Sequence, residues 1–321
     1  MAPFDGKTTG TDVVTAFAGS VRGKTVLITG PSKGSLGAET AKDLASASVK
    51  RLVLVGRNEA KVTPVVNEIR ESSPEVKVDF VQADLASNES VRRAAAKINS
   101  LAGLDHVNIV INAAGNMAVR TYQTSADGNE LQFAANYLGH FLLTNLILDK
   151  ILAAPAPTVV NLTSMGYEMG EVNYDDPNFD GGKTYGPWQA YAQAKTANIL
   201  HAAGLRYKFG DKGLVAFAVH PGYVPDSGLQ ANNAVDTDMM IEGYKLAVAR
   251  NGGKDLPPQE PRTLQEGCAT VLVAALDSSL RDKSPALLLE CQIYPGVKNY
   301  AINADDAEKL WALGEKLTGT S

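Results

Sequence analysis

Seven short runs of Val, Ile and Leu, spaced by longer helical patterns, constrain this 321-residue chain more than any other feature. Thr25-Val-Leu-Ile28 leads into a glycine-rich stretch and a helical pattern from about Ala38 to Ser48. Leu52-Val-Leu-Val55 precedes a helix over about Glu59 to Glu71. Val76, Val78 and Phe80 alternate with polar residues before a helix over about Glu89 to Leu101. Val107 to Ile111, Val159 to Leu162, Leu214 to Val219 and Leu287 to Ile293 complete the set. Unbroken apolar runs belong to strands covered on both faces, and parallel strands need the crossovers that helices supply. Right-handed crossovers then predict an α/β fold: a doubly wound, seven-stranded parallel sheet with helices on both faces. No repeat, low-complexity block or Pro/Gly-rich linker separates two cores. Residues 1–321 therefore read as one domain, with an N-terminal extension at 1–22.

Two stretches fall outside the alternation. Residues 165–189 join a strand to a helix and hold Gly, Asp, Tyr and Trp without helical period. Residues 223–262 follow the sixth strand and end in Leu256-Pro-Pro-Gln-Glu-Pro. Loops this long in a compact domain are usually functional or mobile. Both follow strand carboxyl ends, where open α/β sheets bind ligands, so they are expected to form the walls and lid of a substrate pocket. The second is expected to carry a short helix within a mobile segment, against the alternative of a permanently folded helical insert over Asp238 to Arg250.

A formal net charge of −5 and a pI near 5.5 argue against a nucleic-acid surface. The longest apolar candidate, Phe141 to Leu152, is interrupted by Thr144, Asn145, Asp149 and Lys150, so no membrane span is expected. The start, Met1-Ala-Pro-Phe-Asp-Gly-Lys, lacks the apolar run of a signal peptide. Cys268 and Cys291 are too few for a disulfide framework. His106, His140, His201 and His220 share no ligand spacing, so no metal is expected. A cytoplasmic protein fits these features.

The chemistry is carried by Tyr191-Ala-Gln-Ala-Lys195, with Ser164 upstream at the end of an apolar run. Residues four apart share one helix face, so an ammonium sits beside a phenol and favours the phenolate. Such a tyrosine serves as a general acid or base, and Ser164 beside it can hydrogen-bond a carbonyl or alkoxide oxygen. Thr29-Gly-Pro-Ser-Lys-Gly-Ser-Leu-Gly37 links the first strand to the first helix. Glycines there permit close backbone approach to a pyrophosphate, and a helix N-terminus favours its charge. The second strand ends in Val55-Gly-Arg57-Asn58, with no carboxylate to accept ribose hydroxyls. Arg57 and Lys33 instead suit a 2′-phosphate, so NADP(H) is the expected cofactor.

Taken together, these segments resemble the short-chain dehydrogenase/reductase family from about Gly23 to His220, most closely its retinol-dehydrogenase-like branch and the fungal NADP-dependent reductases. The resemblance implies a single-domain Rossmann fold. The family's glycine motif T-G-x-x-x-G-x-G has one extra residue here. Gly30 and Gly37 match its ends, the middle position falls on Gly34 or Ser35, and Ser32, Lys33 and Leu36 complete the phosphate loop. Asp84-Leu85 is placed where family members bond the adenine amino group. Asn112-Ala113-Ala114-Gly115 resembles N-N-A-G, with Ala113 in place of the second asparagine. Asn136 matches the tetrad asparagine, Ser164 the active serine and Thr163 its structural neighbour. Pro221-Gly222 matches the nicotinamide-contacting motif, followed by Val224, and Ser227 stands in for the usual threonine.

The roles implied are reduction of a carbonyl with Tyr191 as proton donor and Ser164 as oxygen ligand. Lys195 would lower the tyrosine pKa and bond the nicotinamide ribose, while Asn136 would hold a water. Oxidation of an alcohol is the alternative direction, and a binding scaffold or non-redox step a further alternative. Met165, Tyr167, Met169, Tyr174, Tyr185, Trp188, Tyr223, Met239 and Met240 suggest a lipophilic or polyketide-like substrate, unless they merely pack the loops down. In this family the helices of Asn136 and Tyr191 often pair across a two-fold axis, which implies a homodimer or homotetramer through Leu138, Phe141, Leu142, Leu146 and Leu148.

Overall fold

The computed structural model of the chain describes residues 4–232, 234–256 and 259–320. Met1-Ala2-Pro3 and the Pro257-Pro258 pair of the proline-rich stretch lie outside them. The strands are β1 (Thr25–Thr29), β2 (Arg51–Gly56), β3 (Lys77–Gln82), β4 (Ile109–Asn112), β5 (Thr158–Leu162), β6 (Val215–His220), β7 (Ala286–Leu289) and β8 (Gln292–Ile293). They form one sheet in the order β3-β2-β1-β4-β5-β6-β7-β8. The first seven pair in parallel and β8 runs antiparallel to β7. The expected seventh run is thus split, because Glu290 and Cys291 take left-handed φ values of 50° and 62° and fold the chain back on itself. Strand order reverses between β1 and β4, which opens a crevice at their carboxyl ends.

Helices α1 (Gly10–Ala16), α2 (Ala18–Val21), α3 (Leu36–Ser46) and α4 (Glu59–Ser72) lie in the first third of the chain. The middle holds α5 (Asn88–Asn99), α6 (Leu131–Phe133), α7 (Gly139–Leu146), α8 (Leu148–Leu152) and α9 (Pro187–Phe209). After these come α10 (Leu229–Asn232), α11 (Thr237–Arg250), α12 (Leu264–Leu276) and α13 (Ala304–Thr318). Side chains of α1, α3, α4 and α12 pack on one face of the sheet, and those of α5, α7, α9 and α13 on the other. The two inserts, 165–189 and 223–262, leave from the carboxyl ends of β5 and β6.

The N-terminal extension is part of that core. A capping box between Thr9 and Asp12 starts α1, whose Val13 and Val14 are buried with Val21 against α12 and α3. At the other end of the chain, α13 lays Leu310 and Trp311 across α9. The Trp311 ring stands 5.0 Å from Phe141 and approaches Gly204, where a Cβ would come within 3.1 Å of the indole. Leu138, Phe141 and Leu142, expected to pair two copies, are instead buried inside this chain, and Leu146 and Leu148 are half-buried. Among the described residues no helix is long and apolar enough to cross a membrane.

Candidate active site

Ser164, Tyr191 and Lys195 meet above the carboxyl end of β5. Ser164 opens a 3-10 turn over Met165–Met169, and its Oγ accepts the Gly166 N–H at 3.0 Å. Helix α9 begins at Pro187, so Tyr191 and Lys195 fall in its second and third turns on one face. The Lys195 Nζ lies 5.5 Å from the tyrosine ring centroid and donates to the Leu162 carbonyl at 3.2 Å. Two further bonds fasten α9 to β5: Thr163 Oγ1 donates to the Lys195 carbonyl at 2.7 Å, and Asn198 Nδ2 to the Leu162 carbonyl at 2.9 Å.

Tyr191 and Lys195 are both buried, and burial dominates their protonation. It pushes the phenol up to about 12, with a Ser164 hydrogen bond pulling back, and drops the ammonium to about 8. The expected lowering of the phenol by Lys195 is not found: desolvation disfavours each charged form, and the Ser164 bond is what pulls the phenol back. At neutral pH the chain alone presents a protonated phenol next to a protonated amine.

Asn136 lies on a π-helical turn, Ala134–Leu138, between α6 and α7; such turns often mark functional positions. Its Oδ1 accepts the Asn116 N–H at 2.8 Å and its Nδ2 donates to the Asn116 carbonyl at 3.0 Å. A Cβ on Gly115 would come within 2.8 Å of Asn136 Oδ1 and 3.6 Å of Lys195 Nζ. A glycine there is what lets the asparagine and the lysine share one corner of the site.

Behind this corner the hydrogen bonds assign a tautomer. Thr29 Oγ1 accepts the N–H groups of Ala113 and Ala114 at 2.9 and 3.0 Å. Its own proton is then left for His140 Nε2, 2.8 Å away. His140 Nδ1 must carry the ring proton, which it donates to the Asn136 carbonyl at 2.9 Å. One neutral imidazole thus joins β1, the loop after β4 and the catalytic turn. Burial lowers its pKa to about 4, with Lys195 adding to the effect.

The expected cofactor residues separate into two groups. Gly30, Ser32, Ser35, Leu36 and Gly37 line one continuous cleft of about 1380 Å³, as do Arg57, Asp84 and Leu85. Ala113, Ala114 and Gly115 line it too, together with Pro221, Gly222, Val224 and Ser227. Lys33, Gly34 and Asn112 do not. Asn112 Nδ2 is committed inside the sheet to Asn161 Oδ1 at 2.9 Å, and Lys33 is held by its backbone N–H on the Lys61 carbonyl at 2.9 Å. Lys61 itself lines the cleft beside Arg57 and Asn58, which puts a cation of α4 at that part of the cleft.

The loop fits a pyrophosphate. Gly30 has φ +72° and a Cβ there would lie 2.7 Å from the Ala114 backbone, while one on Gly37 would lie 2.8 Å from the Gly30 carbonyl. Ser35 is the N-cap of α3: its Oγ donates to the Gly30 carbonyl at 2.7 Å and accepts the Ala38 N–H at 3.1 Å. Its hydroxyl shapes the loop, and the open N–H groups of the helix start remain for an anion. The Asp84 carboxylate accepts the Ala86 N–H on Oδ1 at 3.0 Å.

Of the apolar residues in the two inserts, Met165, Met169, Trp188, Tyr223 and Met240 line the cleft. Tyr167, Tyr174 and Tyr185 pin the chain down instead. Tyr167 Oη accepts the Lys298 N–H at 3.1 Å, while Tyr174 and Tyr185 donate to the carbonyls of Asp306 at 3.1 Å and Val119 at 2.5 Å. Met239 is buried beneath α11 rather than facing the cleft. Asn58, Lys61 and Asn116 escaped the sequence reading, and His140, set aside there with the other histidines, ties the site together. Only Lys61 carried a signal, one helical turn beyond Arg57.

A family profile described as short chain dehydrogenase matches residues 24–176. A short-chain dehydrogenase/reductase prx1 of Penicillium roqueforti is 33% identical over 316 residues, which cover 94% of this chain and 87% of that protein. Retinol dehydrogenase 11 of Mus musculus is 31% identical over 297 residues, covering 92% and 87%. An NADPH-bound carbonyl reductase from chicken fatty liver superposes with a TM-score of 0.58 at 19% identity, over 85% of this chain and 94% of that one, a likeness of fold.

Proposed function

The chain belongs to the short-chain dehydrogenase/reductase family, in its retinol-dehydrogenase-like branch, and from that premise we propose that it reduces a lipophilic ketone or aldehyde with NADPH. The observation that carries the reading is that Ser164, Tyr191 and Lys195 line the same cleft as the glycine loop and Arg57. The Tyr191 phenol, kept protonated by burial, is in the form that donates a proton to a carbonyl oxygen.

When bound, the reduced nicotinamide supplies the hydride that the carbonyl carbon receives. The chain's own groups do the rest. Ser164 Oγ and the Tyr191 hydroxyl converge on the substrate oxygen, where negative charge develops, and act as preorganised donors. Tyr191 then passes its proton to that oxygen. The Lys195 ammonium stabilises the resulting phenolate and offers donors to a ribose hydroxyl. Asn136, locked onto Asn116, holds the corner from which solvent reprotonates the pair. Trp188, Met169 and Met240 give the substrate an apolar wall.

Two predictions test this reading. Reduction should proceed at a steady kcat below pH 7 and decline as pH rises through about 8, where Lys195 loses its proton, while Tyr191 stays protonated. A kcat profile from pH 6 to 10 that stays flat on the alkaline side would remove Lys195 from the proton chain. Arg57→Ala should weaken NADPH binding by about 1–3 kcal/mol and leave NADH nearly unchanged, the range for charge-assisted bonds. Lys61→Ala should do the same more weakly, and Lys33→Ala should alter neither. Fluorescence titration of both cofactors reads all three variants, and equal losses for NADPH and NADH would show that Arg57 does not read the 2′-phosphate.

A further inference from the structure

Trp188 has four ties that no part of the proton chemistry requires. Its indole is 6% exposed and its Nε1 donates to the Met239 carbonyl of α11 at 2.7 Å. One helical turn further along α11, a Cβ added to Gly243 would fall 2.7 Å from the indole Cε2, closer than real carbon atoms approach. On its other side the ring meets Tyr191 edge to face, with centroids 6.1 Å apart and planes at 86°. It also lines the cleft, together with Gly243 itself.

These contacts build a third apolar cluster, separate from the two that flank the sheet. It holds Met117, Met169, Trp188, Tyr191 and Met239, with Leu246 and Ala247 packed against it. The helix it seats is clasped at both ends by ion pairs, Asp236 with Arg120 and Arg250 with Glu171. The neck of the insert is closed as well: the Arg262 N–H donates to the Tyr223 carbonyl at 2.7 Å. Helix α11 thus rests on one aromatic ring whose opposite edge touches the catalytic phenol.

We propose that Trp188, with Gly243 as the seat that admits its indole, is the specificity-determining wall of the substrate pocket and sets the length of apolar substrate accepted beyond Tyr191. The proposal rests on the carbonyl-reductase reading above. The indole fills the space between the phenol and α11, so an apolar chain extending from the reacting carbonyl meets it first. Removing the ring opens that space, and adding a methyl at position 243 lifts α11 from it. Both changes leave Ser164 and Lys195 in place, and Trp188→Ala takes from Tyr191 only the edge of the indole.

The test uses a homologous series of phenyl alkyl ketones, from acetophenone to octanophenone, with the full chain and NADPH. Trp188→Ala should raise the kcat/KM ratio of the longest to the shortest ketone by at least about tenfold, the scale on which pockets discriminate methylenes. The change should appear mainly in the KM of the longer ketones, since the wall does not supply the proton. Gly243→Ala should move the ratio the same way by less. Ile241→Ala, on the exposed side of α11, should leave it unchanged. The same series is read by displacement of anilinonaphthalene sulfonate from the cofactor-free protein, which needs no turnover. Ratios within about twofold of the parent in both Trp188 and Gly243 variants, by turnover and by binding, would overturn the proposal. A kcat collapse with all ketones alike would make Trp188 a support of Tyr191 instead. If the parent reduces no ketone but the binding ratio shifts as expected, the reductase reading fails and the wall assignment stands.

Discussion

Tyr191→Phe is expected to lower kcat for carbonyl reduction by about 10²–10⁴-fold, the usual contribution of a positioned general acid. The variant keeps the ring that packs edge to face on Trp188 and removes only the hydroxyl. Cofactor affinity should stay within a few-fold, because Arg57, Lys61 and the glycine loop lie at the other end of the cleft. Ser164→Ala should lose about 10²–10³-fold, as expected for one oxyanion donor. The serine's other bond, from Gly166 N–H, makes a small shift of the following turn part of that loss. Lys195→Ala should differ from both, with turnover and cofactor binding falling together. Single-turnover rates and fluorescence titration on the same preparations separate these outcomes. Near-full turnover by Tyr191→Phe would sink the mechanism.

The sheet was legible because its strands are buried on both faces and read as unbroken Val/Ile/Leu runs, as β1 and β2 do. Helices α3, α4 and α5 began and ended within two residues of their expected limits, since each carries periodic apolar positions. The meeting of Ser164, Tyr191 and Lys195 was legible for a different reason: Tyr191 and Lys195 are fixed by helical spacing, and Ser164 by the end of a strand. What the sequence concealed was whatever depends on contacts distant along the chain. Residues 1–22 read as an extension, yet Val13 and Val14 are core because α12 and α3 cover them. Helix α13 closes the outer side of α9 with Trp311, which packs on Phe141, one of the residues on which pairing of two copies was expected.

The cofactor cleft shows the same limit at the level of single side chains. Lys33 and Lys61 are both basic and near the glycine loop, and only the fold decides which one faces the cleft. Asn112 resembles a ligand residue by motif, but its amide is drawn into a chain of buried amides through Asn161 and Asn198. His140 gave no signal at all. Its task depends on two groups meeting at one imidazole, the Thr29 hydroxyl of β1, itself bonded to the loop after β4, and the Asn136 carbonyl of the π-helical turn.

That imidazole points to the second large effect, a loss of stability on mild acidification. His140, His201 and His220 are buried, with pKa values lowered by burial to about 4, 3 and 4. In the unfolded chain each titrates near 6.5. The unfolded state therefore binds more protons as pH falls below 6.5, so stability is full above that value and drains away toward pH 4. Glu130 works in the opposite sense. Burial raises its carboxyl to about 7, so its contribution grows as pH falls from there toward its unfolded value near 4.3. Three depressed histidines outweigh one raised glutamate by several kcal/mol, set against a typical total of about 5–15 kcal/mol. Protonated His140 would have no acceptor at Nε2, because Thr29 Oγ1 already takes two N–H groups. Urea midpoints measured from pH 7.5 to 4.5 should fall steadily below pH 6.5. His201→Phe should shallow that fall, since the ring lies among Tyr137, Phe141 and Trp311 and its only side-chain bond is accepted from Asn161. Midpoints that hold level between pH 7 and 5 would mean that the histidines reach solvent and charge without unfolding the chain.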